Sequence, residues 1–266
     1  MKVVLFCGGL GMRIRDYSES LPKPMVPIGH RPILWHLMKY YAHFGHKEFI
    51  LCLGYLGETI KQFFLNYEEC VVNDFVLSNG GKDIRLLHRD IDDWTITFVD
   101  TGLKSNVGMR LKAVQAHLGN EQYFLANYSD GLSDVPLPKL IEMLKESNKI
   151  ALFVSVKPKA TFHLVDADEA GLVRGISHIH STDIRVNGGF FVFRRDIFNY
   201  IKPGEELVEE PFRRLIKDRQ LIGFPYNGFW GCMDTWKEKQ ELDDIAAQGC
   251  PPWALWNGLA SGRDSK

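Results

Sequence analysis

Near the start of the chain stands Val3-Val4-Leu5-Phe6-Cys7-Gly8-Gly9-Leu10-Gly11-Met12-Arg13, and after a short gap Pro22-Lys23-Pro24-Met25. Residues 3–7 are one continuous β-prone apolar run stopped by glycines, the pattern of a buried strand. A buried strand that empties into a glycine-rich loop is the opening of an α/β sheet, in which ligands collect beyond the carboxyl ends of the strands. Glycines let the backbone come close to a ligand and offer N–H groups to phosphate oxygens. Two known phosphate loops do not fit. G-x-x-x-x-G-K-[S/T] is absent, and the spacing is wrong for G-x-G-x-x-G running straight into a helix. Pro22, Pro24 and Pro27 bar an immediate helix. The loop is therefore expected to be long and non-helical, with Lys23 held in an extended Pro-Lys-Pro frame. Taken alone, such a loop is equally a plain turn with Arg13 in solvent.

Working outward, short apolar runs alternate with helical periodicity. Strands are expected at 3–7, 49–53, 94–99, 123–126 and 150–156, and helices at 33–44, 58–67, 110–118 and 138–146. Strands separated by helices of this length imply βαβ units and a mainly parallel sheet, so the fold class is α/β: a Rossmann-like, three-layer, mixed sheet with helices on both faces. After residue 157 the strand-like pieces shorten, as at 172–176 and 189–193, and helices follow at 209–217 and 235–247. No Pro/Ser/Gly linker divides the chain. One domain over 1–266 is expected, with a first half at roughly 1–156, a second half at 157–256 closing over it, and a tail at 257–266. Trp35, Trp230 and Trp236 read as core.

The 266 residues carry 32 Lys+Arg against 33 Asp+Glu, a formal charge of −1. That balance argues against nucleic-acid binding and against a polybasic membrane anchor. Charge is nevertheless concentrated locally. Residues 1–32 hold Lys2, Arg13, Arg15, Lys23 and Arg31 against Asp16 and Glu19, a net of +3 beside the glycine loop, which suits a polyphosphate. The five cysteines are odd in number and lack C-x-x-C spacing, which argues against a cysteine zinc site or a disulfide framework. Cys7 and Cys52 read as buried thiols. The run before Gly8 is too short for a signal segment, and no stretch approaches the ~20 apolar residues of a membrane span. A soluble, cytoplasmic protein with no membrane or nucleic-acid partner is expected.

Gly-Gly-x-Gly-x-Arg followed by Pro-Lys-Pro-Met resembles the sugar-1-phosphate nucleotidylyltransferases, especially their glucose-1-phosphate cytidylyltransferase branch. The resemblance extends over nearly the whole chain through Pro32-Ile33-Leu34-Trp35-His36, Val99-Asp100-Thr101-Gly102, Arg110-Leu111-Lys112, Asn187-Gly188-Gly189-Phe190-Phe191, Gly228-Phe229-Trp230, Met233-Asp234-Thr235 and Pro252-Trp253-Ala254-Leu255-Trp256. It implies the fold of the nucleotide-diphospho-sugar transferases and transfer of a nucleotidyl group from CTP to a sugar 1-phosphate, with roughly 1–156 as the nucleotide-binding half and 157–256 as the sugar-binding half. The attacking phosphate is already ionised, so catalysis rests on positioning and charge neutralisation. By the same resemblance Leu5, Cys7, Gly8, Gly9, Gly11, Met12, Arg13, Lys23 and Ser129 would line the nucleotide. Arg13 and Lys23 would be the catalytic cations, Arg13 at the leaving pyrophosphate and Lys23 at the α-phosphate and the acceptor phosphate. Asp130 and Asp234 would hold Mg²⁺, whose hard ion takes carboxylate oxygens. Taken alone, Asp130 can be a turn former and Asp234 a helix-start residue. His163, His180, Asn187, Gly188, Glu209 and Glu210 would face the sugar phosphate. Members of the family are usually homo-oligomers, and the excursion at 66–93 is a candidate interface or lid.

The sequence departs from the family pattern on the sugar side. Ser177-His178-Ile179-His180-Ser181 stands where Glu-Lys-Pro is usual, His163 replaces a glycine, and Ser129-Asp130-Gly131 replaces Gly-Asp-Gly. His178 and His180 are expected on one face of a strand, and zinc, a phosphate contact at His180 and a structural role all remain open for them. Arg110 and Lys112 either meet phosphate or form a solvated helix face. Two further readings stand beside CTP and glucose 1-phosphate or a close relative. One is the same chemistry with a different acceptor or nucleotide, and the other is an inactive nucleotide-sugar-binding regulator.

Overall fold

The computed structural model of the chain describes residues 1–9, 21–159 and 162–259. Its central strand is β1 (Val3–Phe6), whose four side chains are all apolar and all buried. The other strands of the main sheet are β2 (Glu48–Leu53), β3 (Thr95–Asp100), β4 (Tyr123–Tyr128), β5 (Ala151–Val156), β6 (Val186–Asn187), β7 (Phe191–Arg194) and β8 (Leu221–Tyr226). β1 lies parallel between β2 and β4, with Val3 opposite Phe49 on one side and Leu125 on the other. β3 extends the sheet in parallel beyond β2. On the opposite flank β7 runs antiparallel to β4 and β5, β6 runs antiparallel to β5, and β8 runs parallel to it. The sheet is thus mixed and mainly parallel, and it is continuous from residue 3 to residue 226.

Among the described residues the α-helices are α1 (Ile33–His43), α2 (Gly57–Leu65), α3 (Glu69–Val72), α4 (Val107–Ala113), α5 (Leu137–Ser147), α6 (Glu210–Lys217) and α7 (Trp236–Ala247). Because side chains alternate along a strand, β1 divides the core in two. Val3 and Leu5 join Leu37 and Tyr41 of α1, Leu140 of α5 and Leu242 of α7. Val4 and Phe6 join Leu111 of α4 and Phe212 and Leu215 of α6. A sheet covered on both faces reads as continuous apolar strands, which is why residues 3–7, 49–53 and 150–156 were legible without alternation.

Three expectations are corrected, and one strand lies outside them. The stretch 110–118 is not one helix: α4 ends at Ala113 and a separate 3₁₀ turn spans Gln115–Leu118. β8 goes unannounced because its Gly223 and Pro225 argue against a strand; it is tolerated where it pairs with β5 at the sheet's flank. His178 and His180 do not share a strand face, since the strand Val173–His178 ends at His178 and His180 falls in the turn Ile179–Ser181. Trp35 is core, but Trp236 is 41% exposed at the start of α7.

Among the described residues four two-stranded ribbons stand off the main sheet, the shortest of them Pro27–Ile28 with Arg31–Pro32. Phe75–Ser78 pairs with Asp83–Leu86, His163–Ala167 with Val173–His178, and Gly131–Ser133 with Trp230–Cys232. No helix among the described residues is long and apolar enough to cross a membrane.

Candidate active site

The carboxyl ends of β1 and β4 meet a cleft of about 280 Å³ lined by Cys7, Gly8, Gly9, Lys23, Tyr128, Ser129, Asp130 and Asp234, with Phe6, Pro24 and Val107 completing it. Cys7 continues the sheet, its N–H donating to Cys52 O at 3.0 Å, and Ser129 Oγ donates to Phe6 O at 2.9 Å, tying the ends of β1 and β4 together. Burial, reinforced by Cys52, pushes the Cys7 thiol well above its ordinary pKa, so it stays a neutral packing group.

Under Gly8 lies a residue that reads on the surface of a helix but is 2% exposed. Arg110 of α4 donates from Nη1 to Leu53 O at 2.9 Å and to Thr101 Oγ1 at 2.7 Å. A Cβ placed on Gly8 would lie 2.1 to 2.5 Å from the guanidinium atoms. The guanidinium therefore fills the hole left by a missing side chain and supports the glycine backbone from below. Its burial lowers its pKa from the ordinary arginine value, against the opposing pull of Cys52, Cys7 and Asp100. The solvated-face reading of Arg110 is corrected by this geometry. Lys112 is exposed and donates to Phe198 O at 3.1 Å.

Pro22 is extended, but Lys23 opens a 3₁₀ turn, Lys23–Met25, closed by Met25 N–H to Pro22 O at 2.8 Å. The expected extended frame is thus a single tight turn, because proline fits the first turn of a helix, where its missing N–H has no partner to lose. The turn aims Lys23 Nζ at two acids, Asp130 Oδ2 at 2.6 Å and Asp234 Oδ1 at 2.5 Å. Burial alone would lower the lysine pKa, but Asp130 and Asp234 outweigh it and hold it above the ordinary value. Lys23 is accordingly a cation throughout the neutral range.

The two acids are brought together by one ribbon. Cys232 pairs with Gly131, and Met233 N–H donates to Asp130 O at 2.9 Å. Asp234 is then held at the start of α7 by a capping box. Glu238 Oε2 accepts from the N–H groups of Asp234 (2.9 Å) and Thr235 (2.8 Å), while Thr235 Oγ1 accepts from Glu238 N–H at 3.3 Å. The nearby Cys232 thiol is pushed up to about 12 by burial, with Glu238, Asp234 and Asp130 adding to it. Among the described residues no group of three or more His, Cys, Asp or Glu gathers where it could hold a metal.

The remaining expected residues lie elsewhere. Leu5 is a core residue with no exposure. Gly11, Met12 and Arg13 lie outside the described residues. Asn187 does not line the cleft but donates from Nδ2 to the hydroxyl of Tyr128, which does, at 3.1 Å. Gly188 accepts from Trp230 Nε1 at 2.9 Å; Trp230, read as core, is half-buried. Glu209 is the exposed residue before α6 and Glu210 its first residue. His163 is exposed and faces His178 across its ribbon, with ring centroids 5.1 Å apart. Of His180 only the backbone is described, in the turn Ile179–Ser181. Tyr128 and Glu238 escape the sequence reading, and Arg110 enters it only as a phosphate contact or a solvated face, not as the buried support of Gly8. Thr235-Trp236-Lys237-Glu238 carries the capping-box pattern that flags Glu238. Gly8 and Gly54, at the ends of neighbouring strands, are a weaker flag for Arg110.

Comparison with known proteins agrees with this layout. The family model described as nucleotidyl transferase matches residues 2–237. A probable glucose-1-phosphate cytidylyltransferase of Bacillus subtilis (strain 168) is 36% identical over 258 residues, covering 96% of this chain and 100% of that protein. The glucose-1-phosphate cytidylyltransferase of Salmonella typhi matches with the same identity and coverage. The crystal structure of a UDP-glucose pyrophosphorylase complexed with UDP-glucose superposes with a TM-score of 0.70 at 15% identity, covering 94% of this chain and 99% of that one. A putative glucose-1-phosphate thymidylyltransferase from Bacillus anthracis gives a TM-score of 0.66 at 13% identity, covering 92% and 95%. These two share the fold. With a glycine-lined cleft, a lysine between two acids, and full-length relatives at 36% identity, the chain belongs to the nucleotidyl transferase family.

Proposed function

We propose that this chain transfers a cytidylyl group from CTP to a sugar 1-phosphate, glucose 1-phosphate or a close relative, releasing pyrophosphate. The observation that carries the reading is the convergence of Lys23 on Asp130 and Asp234 at the mouth of the Gly8–Gly9 cleft. The base and the acceptor come from the names of the 36% identical relatives. In the reaction an ionised oxygen of the sugar phosphate bonds to the α-phosphorus, and the bond from that phosphorus to the bridging oxygen breaks. Pyrophosphate leaves with the electron pair, and no proton must move. The work left to the protein is alignment and charge neutralisation. Gly8 and Gly9 would present N–H groups to the phosphates. Lys23 would place its ammonium between the α-phosphate and the incoming phosphate, with Arg13 at the pyrophosphate. Asp130 and Asp234 would hold Mg²⁺, because both carboxylates reach one ammonium within 2.6 Å and can therefore share one small hard cation. When bound, that ion supplies positive charge against the phosphate oxygens. Asn187, through Tyr128, would border the sugar.

The test is pyrophosphate release with CTP, Mg²⁺ and a panel of sugar 1-phosphates. CTP with at least one sugar 1-phosphate should release pyrophosphate, and Lys23→Ala should lower kcat by about 100-fold or more, the scale of one preorganised charge contact. No release with any nucleotide and acceptor would leave only a regulatory binding role. Full activity in Lys23→Ala would overturn the site. The proposal extends to a cytoplasmic homo-oligomer, supported by the exposed apolar ribbon at Phe75–Ser78 and Asp83–Leu86.

A further inference from the structure

A second cavity, of about 320 Å³, opens beyond the end of β5. Tyr226, Phe229 and Trp230 give it aromatic walls, and Lys157 and Lys159 stand on its rim. It is joined to the cleft by a short hydrogen-bonded path. Tyr128 of the cleft accepts from Asn187 Nδ2 at 3.1 Å, and the next residue, Gly188, accepts from Trp230 Nε1 at 2.9 Å. Asn187 and Gly188 thus link a wall residue of the one space to a wall residue of the other. Trp230 also belongs to the ribbon that brings Asp130 and Asp234 together, opposite Ser133 and two residues before Cys232.

The charges at this cavity are not balanced. Lys157 donates to Thr182 O and stands 3.8 Å from Asp183, whose carboxylate is fully in water, so that pair is weak. The acid behind the wall, Asp134, accepts from the Tyr226 hydroxyl. Arg185 is spent on Ser155 O, Tyr226 O and Asn227 Oδ1. Lys159 has no carboxylate or hydrogen-bond partner among the described residues; its ammonium lies 5.2 Å from the centre of the Phe229 ring. Among the described residues no acid lines the cavity. Aromatic walls with a few placed polar groups are the usual make-up of a small-molecule site, and an ammonium resting on a ring is a point charge held in place for an anion.

We infer that the acceptor carries a second anionic group, a carboxylate or a further phosphate, at the end remote from its 1-phosphate, and that Lys159 receives it in the Trp230 cavity. The inference rests on the proposed transfer reaction and narrows its acceptor. With the 1-phosphate beside Lys23, the sugar ring lies along Asn187 and its far end enters this cavity. A hexose phosphate whose only anionic group is the 1-phosphate leaves Lys159 without a counter-ion.

The experiment compares kcat/KM for glucose 1-phosphate, glucuronic acid 1-phosphate and glucose 1,6-bisphosphate, with CTP and Mg²⁺, in the wild type, Lys159→Gln and Lys159→Arg. At least one acceptor with a second anionic group should be preferred by about tenfold or more through KM, the scale of one charge-assisted hydrogen bond. Lys159→Gln should erase that preference, and Lys159→Arg should restore most of it. The carboxylate and phosphate arms tell which anion fits. A wild type that favours glucose 1-phosphate or treats all three alike overturns the inference, as does a Lys159→Gln variant that slows all acceptors equally. In those outcomes pyrophosphate release continues and the wider reading stands. No release with any acceptor removes the transfer reaction itself, and this inference with it.

Discussion

Gly8 shows how one missing side chain organises the site. Its hydrogen stands where a methyl would strike the Arg110 guanidinium at 2.1 Å, whereas a Cβ on Gly9 would meet nothing within 4 Å. Gly8→Ala must therefore push Arg110 off Leu53 O and Thr101 Oγ1 or lift the loop. The expected cost is about 1–3 kcal/mol, the scale of overpacking, seen as a melting temperature several degrees lower; Gly9→Ala should melt like the wild type. In an Arg110→Ala background the Gly8→Ala cost should vanish, since the clashing atoms are gone. Equal melting of the two glycine variants would refute the contact. The same residue marks the limit of sequence reading. Arg110 and Lys112 look alike on a charged helix face, and nothing local says that one fills a hole between Gly8 and Gly54, more than fifty positions upstream. Lys23, Asp130 and Asp234 are equally far apart in sequence, 107 positions between the first two and 211 between the lysine and Asp234. Only motif resemblance, not periodicity, associates them.

At the scale of elements, α7 does more than pack. Its capping box is local, spans four residues, and is legible as Thr-x-x-Glu. What the pattern does not announce is that Glu238 also accepts from the N–H of Asp234, so the helix start orients one of the two acids that face Lys23. Glu238→Ala removes the acceptor for both N–H groups. The helix loss is about 1 kcal/mol, as for other caps. If Asp234 holds Mg²⁺, the Mg²⁺ concentration for half-maximal pyrophosphate release should also rise several-fold, while Glu238→Gln, which keeps an acceptor oxygen, should recover most of it. An unchanged Mg²⁺ dependence in Glu238→Ala would confine Glu238 to helix stability. Elements built from distant pairings were less legible. Arg31 and Lys39 bond to the buried Asp90 at 3.1 and 2.6 Å, and Trp35 Nε1 donates to the same carboxylate at 3.0 Å. This cluster pins the excursion at 66–93 to α1, yet its members sit 51 to 59 positions from Asp90. The hairpin within that excursion went unread because its strands are only four residues each.

For the whole molecule the informative surface is that hairpin. Leu77 and Ile84 face each other across it, 57% and 54% exposed, and Phe75 on the same face is 41% exposed. A short two-stranded ribbon is marginal by itself in water, and contiguous exposed apolar area marks an interaction surface. A second copy of the chain is the occupant that fits the proposed homo-oligomer. Symmetric assembly uses the same patch on both partners, and an apolar ribbon can meet its own copy without charge conflict. Leu77→Asp combined with Ile84→Asp should leave the fold intact, since exposed positions of this kind change stability by about 0.5 kcal/mol or less. Two like charges facing each other across every copied ribbon should instead break the association. Sedimentation of the wild type should give a multiple of 30.4 kDa, and the double variant should sediment as a single chain with its melting temperature nearly unchanged. A wild type that already sediments at one chain's mass would remove the oligomer and leave the exposed ribbon for a different partner. An oligomer that survives the double substitution would move the interface to another face of the molecule.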